Sequence, residues 1–163
     1  MFKISVKDAV TKELISSDLT IAGLRSKTFE LDTITSFQTS IPKSHYEVYV
    51  VAHSKGYMLA SKEFKINRDK DVYYTEIVLN EIVVGKKVNL KNIQFYGNRF
   101  DFLPSVTDDL KALLSFMKKN PTMIIEIEGH VNGPNQKNSN EYKTLSDNRA
   151  KAVKGYLMEN SIR

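Results

Sequence analysis

The sequence predicts an α+β protein of two domains: an all-β sandwich over residues 1–80, then a βαβα module over residues 88–163. Three observations carry that reading. Apolar residues recur at every second position through the first half, the period that sends side chains to opposite faces of a strand. In the second half the period lengthens twice to that of an amphipathic helix. Between the halves lies "NEIVVGKK", residues 80 to 87, which fits neither pattern for long and reads as the join. A chain of 163 residues has room for one large or two small domains.

The strands come first. Phe2, Ile4 and Val6 alternate with Lys3, Ser5 and Lys7. Leu19 and Ile21 follow, then Phe29 and Leu31, then Phe37, Thr39 and Ile41. In "HYEVYVVAH", Tyr46, Val48, Val50 and Ala52 share a parity; in "DVYYTEIVL", Tyr73, Thr75, Ile77 and Leu79 do. These runs are rich in β-branched and aromatic residues, which suit a pleated, half-buried surface. Turn residues separate them at Pro42-Lys43-Ser44, Ser54-Lys55-Gly56 and Asn67-Arg68-Asp69. Short strands at regular spacing with no helical segment predict a sandwich of about six or seven strands.

The module then opens with "VNLKNIQF", a short strand. "SVTDDLKALLSFMKKN" puts Val106, Leu110, Leu113, Leu114 and Met117 on one helical stripe, whose simplest role is core packing. Ser105 is placed to cap that helix with Asp108 three residues on, and Pro121 stops it. "TMIIEIEGH" alternates again, with Met123, Ile125 and Ile127 opposed to Ile124, Glu126, Glu128 and His130. A second helix carries Leu145, Ala150, Val153 and Leu157 as its apolar stripe. Strand, helix, strand, helix favours parallel strands and right-handed crossovers.

Composition narrows the function. Apolar residues are 41% and charged residues 26%, as in an ordinary globular protein. The net charge of +5 is uneven: residues 1–80 hold 11 basic against 10 acidic side chains, and residues 81–163 hold 13 against 9. A basic second half suits an anionic partner or simply a solvated surface. No block of like charges points to nucleic acid. With no cysteine, disulfides, a thiolate zinc site and a lipidated anchor cysteine are excluded from these residues. Met1 to Val10 show no signal-peptide core, and no apolar run approaches the roughly 18 residues of a membrane span. Neither a cofactor nor a metal is expected.

Catalysis finds no footing. None of His45, His53 and His130 stands in a nucleophile motif, and neither a Gly-x-Ser-x-Gly elbow nor a phosphate-binding loop is present. Glu126, Glu128 and His130 share one side of a strand, which is a possible ligand set for a metal but more simply a solvent-facing edge.

Two resemblances extend this reading. "VKDAVTKELISSDLTI" and "TSFQTSIPKSHYEVYVVAHSKGYMLAS" resemble the prealbumin-like sandwich of carboxypeptidase regulatory-like domains, which implies a binding or spacer module. The second half resembles the OmpA-like peptidoglycan-binding domain. The matching residues are Asn92, Ile93 and Phe95; Asn120 and Pro121; Ile127, Gly129 and His130; and Leu145, Ser146, Arg149, Ala150, Val153, Tyr156 and Leu157.

That resemblance implies a non-enzymatic anchor of the cell envelope, periplasmic and associated with the outer membrane, with peptidoglycan as its partner. The ligand group would be the diaminopimelate of the stem peptide, its carboxylate held by an arginine and its ammonium by a loop acid. Arg149 falls on the arginine. The loop acid falls on Asn132, a second acid position on Tyr96, and a loop asparagine on Tyr142 with Asn140 close by. An amide keeps an acceptor for the ammonium and gives up the Coulomb attraction, about 1–2 kcal/mol or roughly tenfold in affinity. Arg149 has a structural alternative as a helix arginine bonded to loop carbonyls. The resemblance also implies a further strand after the second helix, where this sequence reads "NSIR". An open sheet edge there would invite a partner strand. The competing function is an assembly module that packs against envelope partner proteins with a degenerate peptidoglycan site.

Overall fold

A computed structural model describes residues 1–24, 27–41, 45–67, 70–90, 92–131 and 140–162. The chain divides into two compact units, Met1–Leu90 and Lys91–Arg163. The turns expected at Pro42-Lys43-Ser44 and at Arg68-Asp69 lie outside the described residues.

Among its described residues the first unit holds seven strands: β1 (Phe2–Asp8), β2 (Ser17–Leu24), β3 (Lys27–Ile34), β4 (Ser36–Thr39), β5 (Tyr46–His53), β6 (Ala60–Ile66) and β7 (Tyr73–Leu79). They form a three-stranded sheet ordered β4-β1-β7 and a four-stranded sheet ordered β3-β2-β5-β6. β1 and β7 run parallel, Phe2 opposite Tyr73 through Asp8 opposite Leu79, and every other pairing is antiparallel. One apolar cluster draws on both sheets, with Phe2, Ile4, Val6, Ile77 and Leu79 from one and Leu19, Ile21, Val48, Val50, Ala52 and Ile66 from the other. The unit is therefore a β-sandwich, and the buried parity is the one expected from the alternation.

β6 was not among the expected strands. Ala60, Phe64 and Ile66 turn to the core while Ser61, Glu63 and Lys65 are exposed. With a short apolar face at a sheet edge, it takes its conformation mainly from pairing with β5. The turn after β1 is held by Asp8: its carboxylate accepts Val10 N at 2.6 Å, Thr11 N at 2.8 Å and the Tyr57 hydroxyl at 2.8 Å. These donors, the Thr11 amide foremost, hold the Asp8 carboxyl below its ordinary range. The expected join is partly sandwich, because Met58 N donates to Asn80 O and Ile82 N to Gly56 O.

The second unit contains α1 (Thr107–Lys119) and α2 (Asn140–Glu159). Val106, Leu110, Leu113 and Met117 are buried as expected, Leu114 is half-buried, and Ala112 and Phe116 join the buried face. Ser105 does not cap α1. It lies inside a 3-10 turn, Pro104–Val106, that leads directly into the helix, and Val106, at the helix cap position, makes no side-chain capping bond. Pro104 fixes the φ that starts this turn, so the chain is already helical where a cap residue would need an extended backbone. At the other end Asn120 closes the helix: its amide N donates to Met117 O and its side chain to Phe116 O at 3.0 Å.

The two strands expected in this unit are not formed as strands. Residues 123–131 keep the alternation, with Met123, Ile125, Ile127 and Gly129 half-buried and Ile124, Glu126, Glu128 and His130 exposed, but no ladder includes them among the described residues. Alternation is a local property of an extended chain; a strand also needs a hydrogen-bonded neighbour. In place of a strand at "NIQF" there is a tight hairpin. Phe95 bridges Phe102, Leu103 N donates to Gln94 O, and Tyr96 N donates to Asp101 O. The α+β class stands, with the described strands β1 to β7 all in the first unit.

Candidate functional site

Gly129 sets the geometry at the end of the extended segment. A Cβ on this residue would lie 2.0 Å from Ser146 O, 2.8 Å from Ser146 C and 3.2 Å from Ala150 N. All three atoms are backbone of α2, so only glycine permits this approach. The "Gly-His" and "Leu-Ser-x-x-Arg-Ala" stretches, distant in sequence, are thus two sides of one contact. It brings the carbonyl of His130 to Arg149.

Arg149 binds three carbonyls. Nε donates to Arg99 O at 3.1 Å, Nη1 to His130 O at 3.1 Å and Nη2 to Tyr96 O at 3.3 Å. The guanidinium also sits over the Phe95 ring, 5.1 Å from its centroid, and Phe95 stacks on Phe102 at 5.1 Å. The hairpin tip that supplies two of these carbonyls is itself braced. Asn98 takes φ 55°, Arg99 N donates to Tyr96 O, and Arg99 Nε pairs with Asp101 at 2.6 Å. Asparagine is among the few non-glycine residues at home in that left-handed conformation.

Two consequences follow from this arrangement. Arg149 ties the hairpin tip and the end of the extended segment to α2, which is the structural role open to a helix arginine. Yet its partners are neutral, and among the described residues it forms no ion pair. A guanidinium has five N–H donors. Among the described residues three are used, leaving one on each terminal nitrogen, and the side chain is only half-buried. A fixed cation with unused N–H donors is suited to a carboxylate.

The other expected residues are placed as follows. Tyr96 joins Arg149 through its backbone carbonyl, while its side chain is exposed. Tyr142 is half-buried on the first turn of α2, and seven residues on an α-helix put it on the face of Arg149, about two turns away. Asn140, nine residues from Arg149, comes round to the opposite side of the helix. It is exposed, and its carbonyl accepts the Thr144 hydroxyl at 2.9 Å. Asn132 lies outside the described residues. Glu126, Glu128 and His130 are all exposed, and no group of three His, Asp or Glu able to hold a metal occurs among the described residues.

Sequence reasoning did not find Arg99, Phe95 and Phe102 as the frame of Arg149. The signal available was the Phe95 and Phe102 pair bracketing Gly97-Asn98, a hairpin composition. No helix in the described residues is long and apolar enough to cross a membrane. A family model, that of the OmpA family, matches residues 94–163, a span that covers the hairpin, both helices and Arg149. No curated protein matches the chain.

Proposed function

With residues 94–163 an OmpA family domain, we propose that this protein is a non-enzymatic anchor of the bacterial cell envelope. Its C-terminal module binds the stem peptide of peptidoglycan from the periplasmic side. The observation that carries the reading is Arg149, a cation locked by three neutral carbonyls with two N–H donors unspent among the described residues. Those donors take the free carboxylate of a diaminopimelate residue. Each charge-assisted bond contributes about 1.5–3 kcal/mol. Asn132 supplies a carbonyl acceptor to the ammonium, and Tyr96 and Tyr142 border the ligand. The sandwich serves as a spacer or second binding module.

Calorimetric titration with a diaminopimelate stem peptide tests this. Arg149→Lys keeps the charge and loses the planar fork, so binding weakens about tenfold; equal binding would remove Arg149 from the site. Asn132→Asp adds an acid beside the ammonium and tightens binding about tenfold. No gain would mean that another group receives the ammonium.

A second reading is favoured by the same three carbonyl bonds, which give Arg149 a full structural role with no ligand at all. The module would then assemble with envelope partner proteins and have no wall affinity. Failure to sediment with purified peptidoglycan, together with a stable co-purifying partner, selects that reading.

A further inference from the structure

The hairpin tip beside Arg149 carries an acid with capacity to spare. Asp101 accepts Arg99 Nε through Oδ2 at 2.6 Å, and the two side chains are 52% and 66% exposed. An ion pair this open adds little to stability. It does fix where the carboxylate stands. An ionised carboxylate has room for about four donors, and Oδ1 accepts none among the described residues.

This acid stands close to the cation. Arg99 O lies 3.1 Å from Arg149 Nε, and Asp101 follows two residues later, so its Cα is within about 10 Å of that nitrogen. Asp101 O accepts Tyr96 N at 3.1 Å across the hairpin, while Tyr96 O accepts Arg149 Nη2 at 3.3 Å. The residues that receive the guanidinium therefore also fix the backbone of Asp101. Asp147 is nearer to Arg149 in sequence, but two residues carry it about 200° round α2 and off that face.

A cation and an anion at this separation match an amino-acid zwitterion. Its ammonium nitrogen and carboxylate oxygens are joined through one carbon and stand about 3 Å apart. Charge-assisted bonds of about 2.8 Å at each end make the whole bridge about 8 Å long. Resting on the reading that Arg149 takes the carboxylate of diaminopimelate, we propose that Asp101 receives the ammonium of the same group. It supplies the negative charge that Asn132, an amide, lacks. An ammonium has three N–H donors, so it bonds Asp101 Oδ1 and an amide carbonyl together. Arg99 keeps Oδ2 and holds the acid in place. The ligand class is a zwitterion at the end of a peptide side chain, and a peptide offering a carboxylate alone binds less well.

The test is calorimetry of the full chain with two diaminopimelate stem peptides, one unmodified and one with the side-chain amine acetylated. The parent is expected to bind the acetylated peptide about tenfold more weakly, the loss of one charge-assisted bond. Asp101→Asn is expected to bind the unmodified peptide about tenfold more weakly than the parent and to separate the two peptides by less than about threefold. Glu128→Gln, an acid two residues before the His130 carbonyl, is expected to behave as the parent. A third peptide, amidated at the diaminopimelate carboxylate, reports on Arg149, and its penalty is expected to be the same in Asp101→Asn as in the parent. The proposal is overturned if Asp101→Asn separates the acetylated from the unmodified peptide as sharply as the parent does, or if Glu128→Gln abolishes that separation instead. An amidation penalty that vanishes in Asp101→Asn also overturns it, since Asp101 would then only brace the frame of Arg149. In the first two cases a persisting amidation penalty leaves the Arg149 reading standing, whereas a parent that binds none of the peptides overturns both.

Discussion

Gly129→Ala is the most informative single substitution. The new Cβ would meet Ser146 O at 2.0 Å, Ser146 C at 2.8 Å and Ala150 N at 3.2 Å. Ordinary contact begins near 3.4 Å. The extended segment and α2 must therefore separate by about 1.4 Å, and backbone atoms offer no rotamer in which to hide. Overpacking of this kind costs about 1–3 kcal/mol. The separation also breaks the bond from Arg149 to His130 O, now 3.1 Å long, which adds about 1.5–3 kcal/mol for a charge-assisted bond. The expected loss is about 2.5–6 kcal/mol. Urea unfolding followed by helical circular dichroism reads it, since both helices lie in the second unit. Gly155→Ala is the control: nothing lies within 4 Å of a Cβ there, and a mid-helix glycine replaced by alanine stabilises by about 0.5–1 kcal/mol. If Gly129→Ala unfolds at the parent's urea concentration, the close approach, and with it the frame around Arg149, is wrong.

Other expectations follow from the same contacts. Asp8 has a folded-state pKa below its ordinary value of 3.8. Its contribution is present above that value and is lost as pH falls through the depressed one, so acid unfolding of the sandwich in Tyr57→Phe begins at higher pH than in the parent. Asn120→Ala removes the buried bond to Phe116 O, which costs about 1 kcal/mol in urea unfolding. At Asn98, with φ 55°, replacement by alanine costs about 1 kcal/mol while glycine is near neutral, measured the same way.

Sequence reading and structure agree where the physics is local. Phe2, Ile4 and Val6, or Val48, Val50 and Ala52, declare an inward face by period alone, and both triplets are in the core. The stripe of α1 is legible for the same reason. Ser105 misleads because a cap depends on the backbone around it, and Pro104 had already started a 3-10 turn. The stretches at "NIQF" and "TMIIEIEGH" show the other limit. Their alternation is real, but pairing depends on what lies alongside, and the first closes into a hairpin instead. Arg149 is legible as a functional candidate from its spacing to Leu145 and Ser146. Its carbonyl partners at Tyr96 and Arg99 are some fifty residues away and leave no mark on a local pattern.

The two N–H donors that Arg149 leaves unspent among the described residues are proposed to hold a carboxylate. Changing the ligand tests it without disturbing the frame that Arg149 supports. Two stem peptides would be titrated into the unaltered protein, one with the free carboxylate of its diaminopimelate side chain and one with that group amidated. Amidation is expected to weaken binding about tenfold to a hundredfold, the equivalent of one charge-assisted bond. Equal affinity for the two peptides would contradict it and leave Arg149 as a structural residue.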